Sequence, residues 1–145
     1  MQMQVHFADK LITAVERHTG ELSEEWCVAV RKNPRTPWYH SMSQDQCVLH
    51  AFDFFKNLRR VYFSEKPYDE VATYFKKYAK ETKKERIPLH EAIYALVMMR
   101  RHIWLLVERQ SLVMTGLDLQ QCVESINTMI RIFDHGTYVV INEYA

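Results

Sequence analysis

The sequence predicts an all-α fold: about six helices in one domain spanning residues 1–145. Three observations carry this expectation. Only three glycines and four prolines punctuate the chain, which favours long helices over many short strands. Apolar residues recur at steps of three and four along most of its length. A hydrophobic content of 48% is that of a globular chain, and the length suits one substantial core and not two.

The first helix is read from Val5, Ala8, Leu11, Ile12 and Val15 on one face, with Gly20 as its stop. A second, from about Leu22, buries Leu22, Trp26, Ala29 and Val30 and ends before Pro34. The stretch NPRTPWYHSMS is the loop of the first half. Ser43, with Gln46 three residues on, has the capping-box pattern of a helix start. The third helix follows to about Ser64, with Val48, Phe52, Phe55, Leu58 and Tyr62 as its core face and Cys47, Ala51, Phe54 and Val61 widening it. Pro67 starts a fourth, which turns Val71, Ala72, Phe75, Tyr78 and Ala79 inward. Pro88 opens a fifth, apolar nearly all round from Ala92 to Val107 and expected to be the most buried. A sixth runs from Asp118 to Ala145 without a stop signal.

That last helix carries a heptad-like seam of Leu119, Val123, Ile126, Ile130, Phe133, Thr137, Val140 and Tyr144. The seam serves either the domain's own core or, in its C-terminal half, a dimer or a connector to a further domain. Gly136 permits close approach of another helix, or a bend.

Composition and motifs exclude several functions. A formal net charge of +1 gives no global case for nucleic acid or an anionic membrane surface. Helices one and two are not a helix-turn-helix, because the second begins ELSEE and would set acids against phosphates. The lysines Lys76, Lys77, Lys80, Lys83 and Lys84 form a solvated face without interleaved aromatics, or a weak docking surface. No GxSxG, phosphate-cradling glycine loop or HExxH occurs, so no enzyme is indicated. Three widely spaced cysteines without CxxC, a start without a secretory pattern and no bilayer-length apolar run predict a soluble cytoplasmic protein. Cys47, His50 and Asp53 are spaced CxxHxxD, yet a solvated polar stripe explains His50 and Asp53 better than a metal does.

The segment ALVMMRRHIWLLV raises the main question. At about 100° per residue, Arg101 can reach the edge of its helix, whereas Arg100 and His102 fall on apolar faces. A buried cation needs a partner, and Asp53 and Asp134 are the carboxylates embedded in apolar helices. Either Arg100 bridges to one of them, or it belongs to a polar pocket for a small molecule. His102, and less directly His90, could serve as an axial ligand to haem, which would colour the protein. A hydrogen-bonded core histidine is the plain alternative.

The succession EEWCVAVRK, TPWYHSMS, a long helix, ERIPLHEAIYALVMMRRHIWLLV and a final helix rich in Ile, Phe and Tyr resembles the N-terminal domain of RsbR/RsbD-type stressosome co-antagonists. That domain is also found ahead of bacterial histidine kinases. The resemblance runs from about residue 8 to the end, and its most specific part is the IPLHE entry into the helix with Arg100 and Arg101. It implies a globin-like, dimeric sensory input domain, usually without haem, attached to an output module. No STAS or kinase domain follows here, so the chain is expected to be either an excised or a stand-alone sensor. Independently of the resemblance, the residues suggest a switch in which a signal binds or repacks a pocket around Arg100 and His102 and alters the position of the last helix.

Overall fold

A computed structural model describes residues 6–64 and 67–145. Among them are six α-helices, one 3-10 turn and no strand. The helices are α1 (Phe7–Arg17), α2 (Thr19–Lys32), α3 (Gln44–Tyr62), α4 (Pro67–Lys84), α5 (Leu89–Arg109) and α6 (Gly116–Tyr144). The 3-10 turn, Pro37–Ser41, lies between α2 and α3. The all-α expectation holds. Val5, expected on the first helix, lies outside the described residues.

Two helix pairs, α2 with α3 and α4 with α6, make the most extensive contacts, and α5 and α1 pack across them. Polar side chains fix these crossings. From α2, the fully buried Trp26 donates its indole N–H to the carbonyl of Ala95 at 2.9 Å. From α4, Tyr78 donates its hydroxyl to the carbonyl of Ala92 at 2.7 Å. The backbone N–H of Trp38, in the 3-10 turn, donates to the buried Glu91 carboxylate at 2.7 Å. All three partners sit on the N-terminal half of α5, which therefore has its rotation set from three directions. Meanwhile α1 is joined to the start of α6. Lys10 pairs with Asp118 at 3.0 Å, and Gln121 accepts from the Phe7 N–H at 2.9 Å. The Lys10 ammonium and the Met114 N–H hold the Asp118 carboxyl below the usual carboxylate range.

The glycines do not act as stops. Gly20 falls in the first turn of α2, while α1 ends two residues earlier at His18, whose N–H returns to Ala14 and Val15. The stops after α4 and α5 are Schellman turns built on non-glycine residues in left-handed backbone, Arg86 at φ 64° and Ser111 at φ 50°. In each, the paired bonds are present: Arg86 to Lys83 with Ile87 to Thr82, and Ser111 to Glu108 with Leu112 to Val107. Ser43 does cap α3, accepting from the Gln46 N–H at 3.3 Å.

The faces of α3 and α6 are rotated from those expected. On α3 the buried row is Cys47, Ala51, Phe54, Phe55, Leu58 and Val61, while Val48, Phe52 and Tyr62 flank it. On α6 the buried row is Asp118, Cys122, Ser125, Met129, Ile132, Phe133, Gly136, Val139 and Val140. It keeps the four-and-three spacing of the expected seam but lies mostly one residue before it. Asp118, Ser125 and Gly136 make that row the less hydrophobic of the two in sequence. A seam of period 3.5 also drifts by about 20° per heptad on a straight helix. Phe133 and Val140 therefore reach the core, whereas Leu119, Val123 and Ile130 face solvent.

Gly136 is where a side chain of α4 packs directly on the backbone of α6. A Cβ there would stand 2.6–2.7 Å from three ring atoms of Phe75. That ring is fixed among Tyr74 and Phe133, edge-on to each. Gly136→Ala should accordingly destabilise the fold by about 1–3 kcal/mol, outweighing the helix-propensity gain of about 1 kcal/mol. Ser111→Gly should stabilise it by about 0.5–1 kcal/mol by relieving the left-handed backbone. Urea unfolding of both variants checks the pair, which should move in opposite directions.

Candidate functional site

The three polar residues at the centre of α5 have separate fates. Arg101 is exposed. Arg100 is half-buried and lays its guanidinium over the ring of Phe133, 5.4 Å from the centroid, a cation–π contact between α5 and α6. Among the described residues it makes no ion pair. His102 is half-buried and directs Nδ1 to the carbonyl of Met98, one turn back, at 2.8 Å. A carbonyl only accepts, so Nδ1 carries a proton in this contact.

The carboxylates proposed for Arg100 lie elsewhere. Asp53 faces α4, where it meets Lys77 at 3.4 Å, and it accepts from Asn57 of its own helix at 3.3 Å. Asp134 is exposed on α6, and among the described residues it forms no ion pair. The Arg–Asp bridge is therefore replaced by an aromatic face, which accepts a cation while its head group keeps contact with water. His90 is exposed.

The CxxHxxD run is likewise dispersed. Cys47 is fully buried, and His50 turns to Glu85 at 3.1 Å. No group of three or more His, Cys, Asp and Glu side chains that could hold a metal ion occurs among the described residues. Cys27, Cys47 and Cys122 are free thiols, each buried and each pushed up in pKa by that burial.

Of the residues assigned to a signal or dimer helix, the domain itself claims most. Phe133, Gly136 and Val140 are in its core, and Thr137 is half-buried. Tyr144 donates its hydroxyl to the Ile87 carbonyl at 2.9 Å and lies 2.9 Å from Thr82 Oγ1. This ties the end of α6 to the α4–α5 turn. Ile130 alone of the set is exposed, and it has company the seam did not assign to solvent. Leu119 is 58%, Val123 52% and Ile141 47% exposed, alongside Ile130 at 41%. With Asp134 they form a stripe along α6, and Ile126 borders it half-buried. On α5, the exposed Val97, Arg101 and Leu105 recur every four residues on the side next to Arg100. The apolar-all-round appearance of α5 thus conceals an outward face. The two helices that carry these stripes meet at the Arg100–Phe133 contact.

A separate cleft of about 200 Å³ opens between the end of α3, the start of α4 and the middle of α6. Val71 and Ile132 are buried in its floor, and Tyr62, Tyr68, Arg131 and His135 stand around it. Tyr68 meets the His135 ring edge-on at 4.9 Å. Neither Arg100 nor His102 borders this cleft.

Comparison of the chain with protein-family models, with curated proteins and with solved structures finds no match. No helix among the described residues is long and apolar enough to cross a membrane.

Arg100→Met tests the assignment of Arg100. Loss of a half-exposed cation–π contact should cost less than about 1 kcal/mol, whereas loss of a buried ion pair would cost about 3–5 kcal/mol. Equilibrium unfolding distinguishes the two, and a loss in the higher range would restore the bridge.

Proposed function

We propose that this chain is a cytoplasmic, non-enzymatic sensory input domain that acts as a homodimer and passes its state to a signalling partner or output domain. It would be of the type that precedes bacterial histidine kinases or forms stressosome co-antagonists. The resemblance of its sequence supplies that type. The observation that carries the reading is the pair of exposed apolar stripes on α5 and α6.

Large apolar patches at a surface mark contact sites. From Leu119 to Ile141 the α6 stripe extends roughly 33 Å at 1.5 Å per residue. With α5 beside it, this is on the scale of a standard interface of about 800 Å² per partner. A second copy of the chain is the partner that fits. Arg101 in the α5 stripe, beside the exposed Glu108, and Asp134 in the α6 stripe are both unpaired among the described residues. A two-fold interface brings unlike residues of the same patch together, so Arg101 of each copy would meet Asp134 of the other. Opposite charges in the two stripes favour this pairing, whereas two copies of one stripe alone would oppose like charges.

The mechanism follows from where α6 stands. Its stripe is seated on the domain through Phe133, which Arg100 covers from α5. A signal that repacks α6 against α4 or α5 would rotate the stripe and alter the dimer, a shear movement of packed helices.

Molar mass by light scattering is the direct test. The parent chain should be a dimer, and Val123→Glu with Ile130→Glu should give a monomer of unchanged helix content. Arg101→Asp or Asp134→Arg alone should weaken dimerisation by about tenfold or more, and the two together should restore it. A parent chain that stays monomeric at high concentration would remove the dimer from this reading.

A further inference from the structure

We propose that the cleft between α3, α4 and α6 binds a small carboxylate with a single aromatic ring or a short branched apolar body. The site deepens the sensory reading by giving it a ligand, and rests on that reading for its meaning but not for its chemistry. Its floor is apolar, with Val71 and Ile132 buried beneath the opening. The Tyr62 ring offers one aromatic wall, and Tyr68, held edge-on by His135, offers another. At about 200 Å³ the space suits a metabolite smaller than most pocket ligands.

The charge at the rim selects the anion. Arg131 lines the cleft and, like Arg101, makes no ion pair or hydrogen bond among the described residues, whereas several other arginines are held. Arg59 is held by Glu16 and Asp9, Arg60 by Glu70, and Arg109 by Glu25. Among the described residues that line the cleft there is no Asp or Glu to hold the guanidinium. One planar fork of N–H donors matches a carboxylate in bidentate fashion. A phosphate would call for more cationic donors than this rim supplies and would make no use of the apolar floor.

The location gives binding a consequence. The cleft residues Thr128, Arg131 and His135 occupy the same turns of α6 as Ile130, on the side away from the exposed stripe. A ligand seated between α4 and α6 bears on the helix that carries the proposed dimer contact.

The test is titration of the ¹⁵N-labelled full chain with benzoate, phenylacetate and 3-methylbutanoate. Uncharged benzamide and inorganic phosphate serve as controls, at fixed pH and ionic strength. At least one of the three acids should produce saturable shifts centred on Tyr68, Val71 and Thr128 to His135. Benzamide, phosphate and the exposed-site variant Arg131→Gln should each bind about tenfold more weakly or worse. Absence of saturable shifts with all three acids, or equal binding by benzamide or by Arg131→Gln, would overturn the proposal. Molar mass measured on the same samples separates the two ideas. A dimer that binds none of the acids sinks the cleft alone, and a monomer that binds one sinks the dimer alone.

Discussion

The approach of α4 to α6 at Gly136 is the constraint on which the rest of the molecule depends. Phe75 occupies the place where a side chain would be, so its ring lies directly on the α6 backbone. That nearness brings Phe133 into line with Phe54 and Phe75, a cluster that joins three helices. It also turns the Phe133 face toward α5, where Arg100 covers it. The cleft opens where α4 and α6 part beyond this contact, toward Tyr68 and His135. The core and both surfaces singled out above thus share one determinant.

The consequence is that α6 has three distinct sides. One enters the core from Asp118 to Val140, one faces the cleft through Thr128, Arg131 and His135, and one shows solvent a row of aliphatic side chains. A helix so divided cannot rotate to favour one side without disturbing the others. Its ends are held as well, by Lys10 on Asp118 and by the Tyr144 hydroxyl at Thr82 and Ile87.

Much of the fold was legible in the sequence because helical spacing, Pro67, Pro88 and the Ser43 cap act locally. The positions of the helix ends at His18, Arg86 and Ser111 were not, since left-handed backbone on an arginine or a serine leaves no mark in composition. Nor was the choice between neighbouring rows on α3 and α6. Both rows have helical spacing, and the inner one contains Asp118, Ser125 and Gly136, whose burial depends on partners distant in the chain. The same holds for the centre of α5. The sequence poses the problem of Arg100, but an aromatic ring 33 residues away answers it, and not the embedded carboxylates Asp53 and Asp134. No sequence spacing connects Tyr62, Tyr68 and Arg131, so the cleft had no signature at all.

The three buried thiols carry one more implication. Thiolate is the reactive form, and burial withholds it from Cys27, Cys47 and Cys122 while the protein is closed. Cys27, whose Sγ faces the Gln44 carbonyl at 3.6 Å, and Cys47 share the α2–α3 contact, whereas Cys122 sits on the inner side of α6. Alkylation of the first two therefore waits on parting of α2 from α3, and alkylation of the third on release of α6. The chain carries its own chemical clocks for the opening of two different regions, readable without any added probe group.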